Sequence, residues 1–249
     1  MAGAPAEAAA EARPLRLCVE PANLPFADAA GEGFEVAIAR LLARRLGREL
    51  ELVPVIQGIH GFARRTLGDG LCDVLTGMPA GAEGALTTRP YYRSTWVFVR
   101  RVGEPLPASF DDPHLVDWRI AVPVVGEGWD TAPVAALARR GIVQNLRRFP
   151  IGAKQPAGPL AAVAAGEADL AIVWGPVAGW YAARHPSVKL ALAPTPAADG
   201  DVPFTAATAL AVRRGDEPLR AALDDALLHE REAVAAILAA WHVPPVEGG

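Results

Sequence analysis

Strand-like and helix-like segments take turns along the first third of this chain, and that alternation restricts the fold more than any other feature. Leu15–Val19 (LRLCV) alternates as a strand. Residues 33–46 set Phe34, Ile38, Leu41, Leu42 and Leu46 at helical spacing, with Gly47 placed to stop the helix. A second strand is predicted over 49–53, a short helix over 61–67 and a third strand over 72–78 (CDVLTGM). Such an order predicts a parallel sheet with right-handed crossovers, hence an α/β fold.

A long strand, 92–101, then leads away, and a similar set follows. Its strands are predicted at 119–122, 143–149, 169–174 (DLAIVW) and 188–192. Its helices are predicted from an N-cap at Asp130 or Thr131 to Arg140, and over 159–165 and 176–184. A further strand at 204–213 and helical residues 217–241, in two pieces, close the chain before VPP. The first set has too few helices to cover both faces of its sheet, so these last elements are expected to return to it. The expected organisation is an N-terminal tail at 1–13, a first lobe of 14–100 with 204–249, and a second lobe of 101–203. Two crossing segments, near 100–103 and 194–203, would then act as a hinge.

Composition excludes several classes. Net charge is −4, from 24 basic and 28 acidic residues, and no basic stripe appears, so nucleic acid is not an expected partner. No run of about 18 apolar residues occurs, so no membrane insertion is expected. The N-terminus, MAGAPAEAAAEARP, lacks a positive segment ahead of an apolar one and is not read as a signal peptide. Either a cytoplasmic protein or the mature form of an exported one fits that.

Enzymatic motifs are missing. Gly31–Val36 (GEGFEV) lacks the last glycine of a dinucleotide fingerprint and follows a long loop. His229-Glu230-Arg231-Glu232-Ala233 lacks the second histidine of a zinc protease helix. No nucleophile stands with a base and no metal-ligand cluster stands out, so no catalytic residue, metal or cofactor is expected.

Binding residues are expected where strands end, since ligands of open parallel sheets sit beyond the carboxyl ends of the strands. Asn23, Pro25 and Phe26 follow the first strand, Met78 ends the third, and Arg89, Tyr91 and Tyr92 follow its turn. Gly126, Trp129 and Trp174 hold the matching places in the second set. Rings with few charges favour an apolar ligand or an inserted protein segment. Trp180 reads as helix packing. Arg89 leaves room for a charged small ligand. Cys18 and Cys72 lie on strands expected to be neighbours, so a bridge and two buried thiols both fit.

The order of "LRLCVEPANLPF", "CDVLTGM", "RPYYRS", "GEADLAIVW" and "EPLRAAL…ILAAWHVP" resembles the type II periplasmic solute-binding proteins. "CDVLTGMPAG…LTTRPYYRSTWVFV", "AVPVVGEG…TAPVAALARRGIV" and "VPFTAATALAVRRGD" look like their quinoprotein dehydrogenase-associated branch, the MxaJ/XoxJ type. The resemblance implies a two-lobed fold with a mostly parallel sheet and flanking helices in each lobe. It also implies a periplasmic, non-enzymatic accessory protein whose partner is a PQQ-dependent methanol dehydrogenase. An ABC importer's receptor for a small, largely apolar or non-amino-acid ligand is the alternative. Amino-acid receptors of this fold carry an arginine after the third strand and an acid in the second lobe. Glu83-Gly84 and Trp174 stand at those places here, so the amino-acid clamp is expected to be absent. The resemblance also favours a Cys18–Cys72 disulfide.

Overall fold

The computed structural model describes residues 13–55, 62–124, 131–150 and 157–246. The chain runs β1 (Leu15–Val19), β2 (Ala22–Asn23), β3 (Ala27–Asp28), α1 (Phe34–Arg45), β4 (Leu50–Pro54), a π-helical turn at Arg64–Gly68, β5 (Val74–Pro79) and the long β6 (Leu86–Arg101). There follow a 3-10 turn at Pro113–Val116, β7 (Ile120–Val124), α2 (Ala132–Arg139), β8 (Leu146–Pro150), α3 (Gly158–Ala164), β9 (Leu170–Trp174), α4 (Gly175–Arg184) and β10 (Leu190–Pro194). β11 (Ala198–Asp199), β12 (Val202–Pro203), β13 (Thr205–Val212), α5 (Glu217–His229) and α6 (Arg231–Ala240) complete it.

The main sheet has the order β4-β1-β5-β13-β6-β9-β7-β8, with β10 also on β6. β1 pairs in parallel with β4 and β5, and β7 in parallel with β8 and β9. These are the parallel sheets that the alternation predicts. β13 is antiparallel to both β5 and β6, so the chain's end does return to the first set. α1 buries Phe34, Ile38 and Leu42 in a core shared with Leu223 of α5 and Val234 of α6. Separate apolar clusters flank the second sheet, one around Phe98, Ile120 and Leu137, the other around Val99, Leu160 and Val173.

One strand belongs to both sets. The N-terminal part of β6 pairs with β13, as at Thr95↔Thr205. From Trp96 it pairs with β9, and from Val97 also with β10. The change of partner therefore falls at Thr95–Trp96, ahead of the crossing expected near 100–103. The polar run Arg93–Thr95 ends at that point and the unbroken apolar run Trp96–Val99 begins. Arg100, buried beyond it, is fixed by carbonyls rather than left to bend. Its guanidinium donates to the carbonyls of Asp169 at 2.9 Å and Pro105 at 2.6 Å and lies 3.9 Å from the centre of the Trp118 ring. We place the boundary between the two halves at the partner change.

Two β-bulges set which side chains face the gap between the halves. Opposite Ala209 and Ala211 of β13 stand Met78 and Leu75 of β5, so one β5 residue is extra. Gly77 takes the left-handed φ of 69° there. On the other side, Thr208 and Ala209 oppose Tyr92 and Pro90, leaving Tyr91 extra. Cys18 and Cys72 are joined by a disulfide with Cα atoms 5.5 Å apart, enclosed by Leu67, Leu75 and Ala211.

Candidate functional site

Two adjoining cavities lie between the halves and share Asn23, Phe26, Trp96 and Trp174. The larger, about 320 Å³, is bounded by the first half through Glu35, Thr76, Gly77, Tyr92 and Thr208. The other, about 240 Å³, reaches into the second half and is walled by Pro123, Phe149, Pro150, Pro159, Val173 and Val177.

The shared walls follow from pairing and close approach. Trp96 and Trp174 are directly opposite on β6 and β9, and their rings meet edge to face with centroids 5.8 Å apart. Phe26 sits in the turn of the β2–β3 hairpin, where its N–H donates to the Asn23 carbonyl at 2.9 Å. That turn presses on the start of α1. A Cβ on Gly33 would stand 2.1 Å from the Phe26 carbonyl oxygen, and Gly33 has φ 119°, so only glycine fits. Phe26 then packs on Phe34 at 5.4 Å, and Phe34 meets Tyr92 edge-on at 5.5 Å.

Glu35, in the first turn of α1, is 4% exposed. Its Oε1 accepts a hydrogen bond from the Tyr91 hydroxyl at 3.1 Å. The Tyr91 oxygen in turn accepts from the Gly77 N–H at 3.2 Å. Burial pushes the Glu35 carboxyl up to about 7, against the opposing pull of the Thr76 and Tyr91 hydroxyls. The bulge at Tyr91 explains how consecutive tyrosines both turn this way, with ring centroids 5.0 Å apart.

This raised carboxyl sets a pH dependence. An unfolded glutamate loses its proton near 4.5, the folded Glu35 near 7. The folded state therefore holds the extra proton between those values, and stability falls as pH rises through that window. Above pH 7 the cost is complete, on the order of 3 kcal/mol. Glu35→Gln is expected to unfold at higher denaturant than the parent at pH 8, with the difference shrinking as pH drops towards 4.5. Urea titrations across that range check it, and a difference independent of pH would contradict the assignment.

Asn23, Phe26, Tyr92 and Trp174 thus come together at one gap. Pro25 is buried in the hairpin turn and supports Phe26 without facing either cavity. Tyr91, expected at the cleft, lines neither cavity: it faces Ala235 and Leu238 of α6, and its hydroxyl reaches Glu35. Two further expectations need correction. Met78 packs on the disulfide cluster, because the bulge at Gly77 resets the alternation and turns it to the side of Leu75. Arg89 is exposed on the far face, where its backbone N–H donates to Asp224 Oδ1 at 2.6 Å and its side chain approaches the same carboxylate at 3.7 Å. Its neighbour Thr88 is turned into the sheet, accepting from the Leu210 N–H at 3.1 Å, and a further register shift of β6 between Thr87 and Pro90 leaves Arg89 facing outward. Gly126 and Trp129 lie outside the described residues. Trp180 packs on the cluster around Leu160 and Val163 and also lines a separate cavity of about 430 Å³ with Leu24 and Tyr181.

Sequence reasoning missed Glu35 and Trp96. A signal for Glu35 was present: it precedes Ile38 and Ala39 at three and four residues and so shares the buried stripe of α1. Among the described residues no group of three or more His, Cys, Asp or Glu could hold a metal ion, and no helix is long and apolar enough to cross a membrane.

The profile of the bacterial extracellular solute-binding proteins, family 3, matches residues 15–244. Protein MoxJ of Methylorubrum extorquens is 33% identical over an alignment of 264 residues, covering 97% of this chain and 86% of that protein. Protein MoxJ of Paracoccus denitrificans is 46% identical over 94 residues, which span 38% of this chain and 34% of that protein. The crystal structure of the periplasmic binding protein XoxJ from Methylobacterium extorquens AM1 superposes with a TM-score of 0.76 at 30% identity, covering 94% of this chain and all (100%) of that one.

Proposed function

The chain belongs to the bacterial extracellular solute-binding proteins, family 3, and from that premise we propose that it is the MxaJ/XoxJ-type accessory protein of a PQQ-dependent methanol dehydrogenase. It works in the periplasm, without catalysing a reaction itself. The observation that carries this reading is the near full-length similarity to MoxJ and XoxJ; a cleft lined by Phe26, Trp96, Phe149 and Trp174 supports it.

The physical role follows from the cleft's walls. Phe26, Trp96, Phe149 and Trp174 offer large apolar area at little entropic cost, as binding hot spots do. A segment of an incompletely assembled dehydrogenase seats there and is held while the active form is completed. Adding the purified protein to dehydrogenase made in its absence is expected to raise activity and PQQ content. Trp174→Ala is expected to remove most of that gain, on the order of tenfold in the concentration needed, as for a central aromatic anchor. A dehydrogenase whose activity and PQQ content do not change would end the reading.

The second reading is a receptor for a small non-amino-acid solute, favoured by the about 320 Å³ cavity beside Glu35. A ligand that raises the melting temperature, with no effect of the protein on the dehydrogenase, would select it.

A further inference from the structure

The polar end of the cleft is built around a single charge. Of the described residues lining its two cavities, only Glu35 carries an acidic or basic side chain; no Arg, Lys or His is among them. The carboxyl is supported by hydroxyls alone, those of Thr76 and Tyr91. Gly77 N–H donates to the Tyr91 oxygen, which commits the phenol proton to Glu35 Oε1. That chain of donors is aimed at a negative charge and supplies no positive one. The titratable groups packed around Glu35 are Tyr91 and Tyr92, both on β6.

Three ligand chemistries can be compared at this point. An anion meets the field of Glu35 with no cation among the described lining residues to offset it. A hard metal ion or bare ammonium would exchange its water shell for few oxygens, since the other oxygen-bearing side chains among the described lining residues are Asn23, Thr76, Tyr92 and Thr208, none of them charged. A cation clothed in methyl or methylene groups is weakly hydrated, and it matches what surrounds the carboxyl. Phe26, Tyr92, Trp96 and Trp174 line the same cavity, and ring faces attract such a cation.

We propose that the cleft binds a small alkylammonium ion, its charge against Glu35 and its alkyl groups against Trp96 and Trp174. The adjoining apolar cavity of about 240 Å³ takes the remainder of a longer alkyl chain. The proposal concerns the cleft's own chemistry and does not depend on the dehydrogenase reading.

The test compares choline with 3,3-dimethylbutan-1-ol, which has the same shape and no charge, by calorimetric titration of the full-length protein at pH 8. Choline is expected to bind tighter by about tenfold or more. Glu35→Gln is expected to abolish that preference while leaving the thermal melt cooperative. The comparison on the unaltered protein decides even where the variant does not fold. Equal affinity for the two probes, binding of neither, or a preference that survives Glu35→Gln in a folded variant overturns the proposal. Because no dehydrogenase is present, this outcome is separable from that of the activation assay.

Discussion

Replacing both Cys18 and Cys72 with alanine is expected to lower the unfolding free energy by about 4 kcal/mol. The bridge joins residues 54 apart in sequence. Cross-linking a loop of that length restricts the unfolded chain, and the loss scales with the logarithm of loop length. The loop contains β2, β3, α1, β4 and the π-helical turn, so the N-terminal part of the first half is closed by it. Both cysteines are buried beside Leu67 and Leu75, and alanine avoids stranding a hydroxyl there. For a chain of this size the loss corresponds to a fall in melting temperature of roughly 8–16 °C. Denaturant titrations of parent and double variant measure it. The unreduced, denatured parent should show no titratable thiol; two free thiols would refute the bridge outright.

Gly179→Ala is expected to destabilise the protein by about 2–3 kcal/mol, the range of forced overpacking. On helix propensity alone the same change would stabilise by roughly 1 kcal/mol, so even the sign is diagnostic. Gly179 lies in α4, where a Cβ would stand 1.9 Å from the backbone oxygen of His242. His242 itself has φ 55°, and the Val243 N–H after it donates to the Leu238 carbonyl at 3.0 Å. Pro244 closes over the same spot, near both Gly175 and Gly179. The C-terminal turn, which packs on the first half through Val243, thus also rests on a helix of the second. Ending the chain after Trp241 should relieve most of the penalty of Gly179→Ala. A double-mutant cycle reads that coupling, and additive effects would show that the contact is not made.

What the sequence discloses and what it hides differ by physical cause. β1, α1, β9 and the closing helices were readable because each is framed by its own signals. α1 has apolar residues at helical spacing and Gly47 beyond its end. The return of β13 to the first half was legible from the need to cover a sheet. The bulges were not, because an extra residue is defined by its partner strand and leaves no mark of its own in the residue pattern. Met78 and Arg89 were misplaced for that reason, while Tyr92, inside β6, and Trp174, at the end of β9, both line the gap. Glu35 was passed over because an acid after Gly33 reads as an ordinary first-turn residue, and its burial arises only when the β2–β3 hairpin and Tyr91 close over it.

β6 has a consequence beyond the cleft. Its 16 residues form one ladder whose first part is completed by β13 and whose second by β9 and β10. A gene fragment encoding either half alone would carry this strand with part of its hydrogen-bonding edge bare, or would lack it. Recombination can therefore exchange such a protein as a unit, or trade its surface loops, but it cannot shuffle the halves between relatives without rebuilding the strand they hold in common.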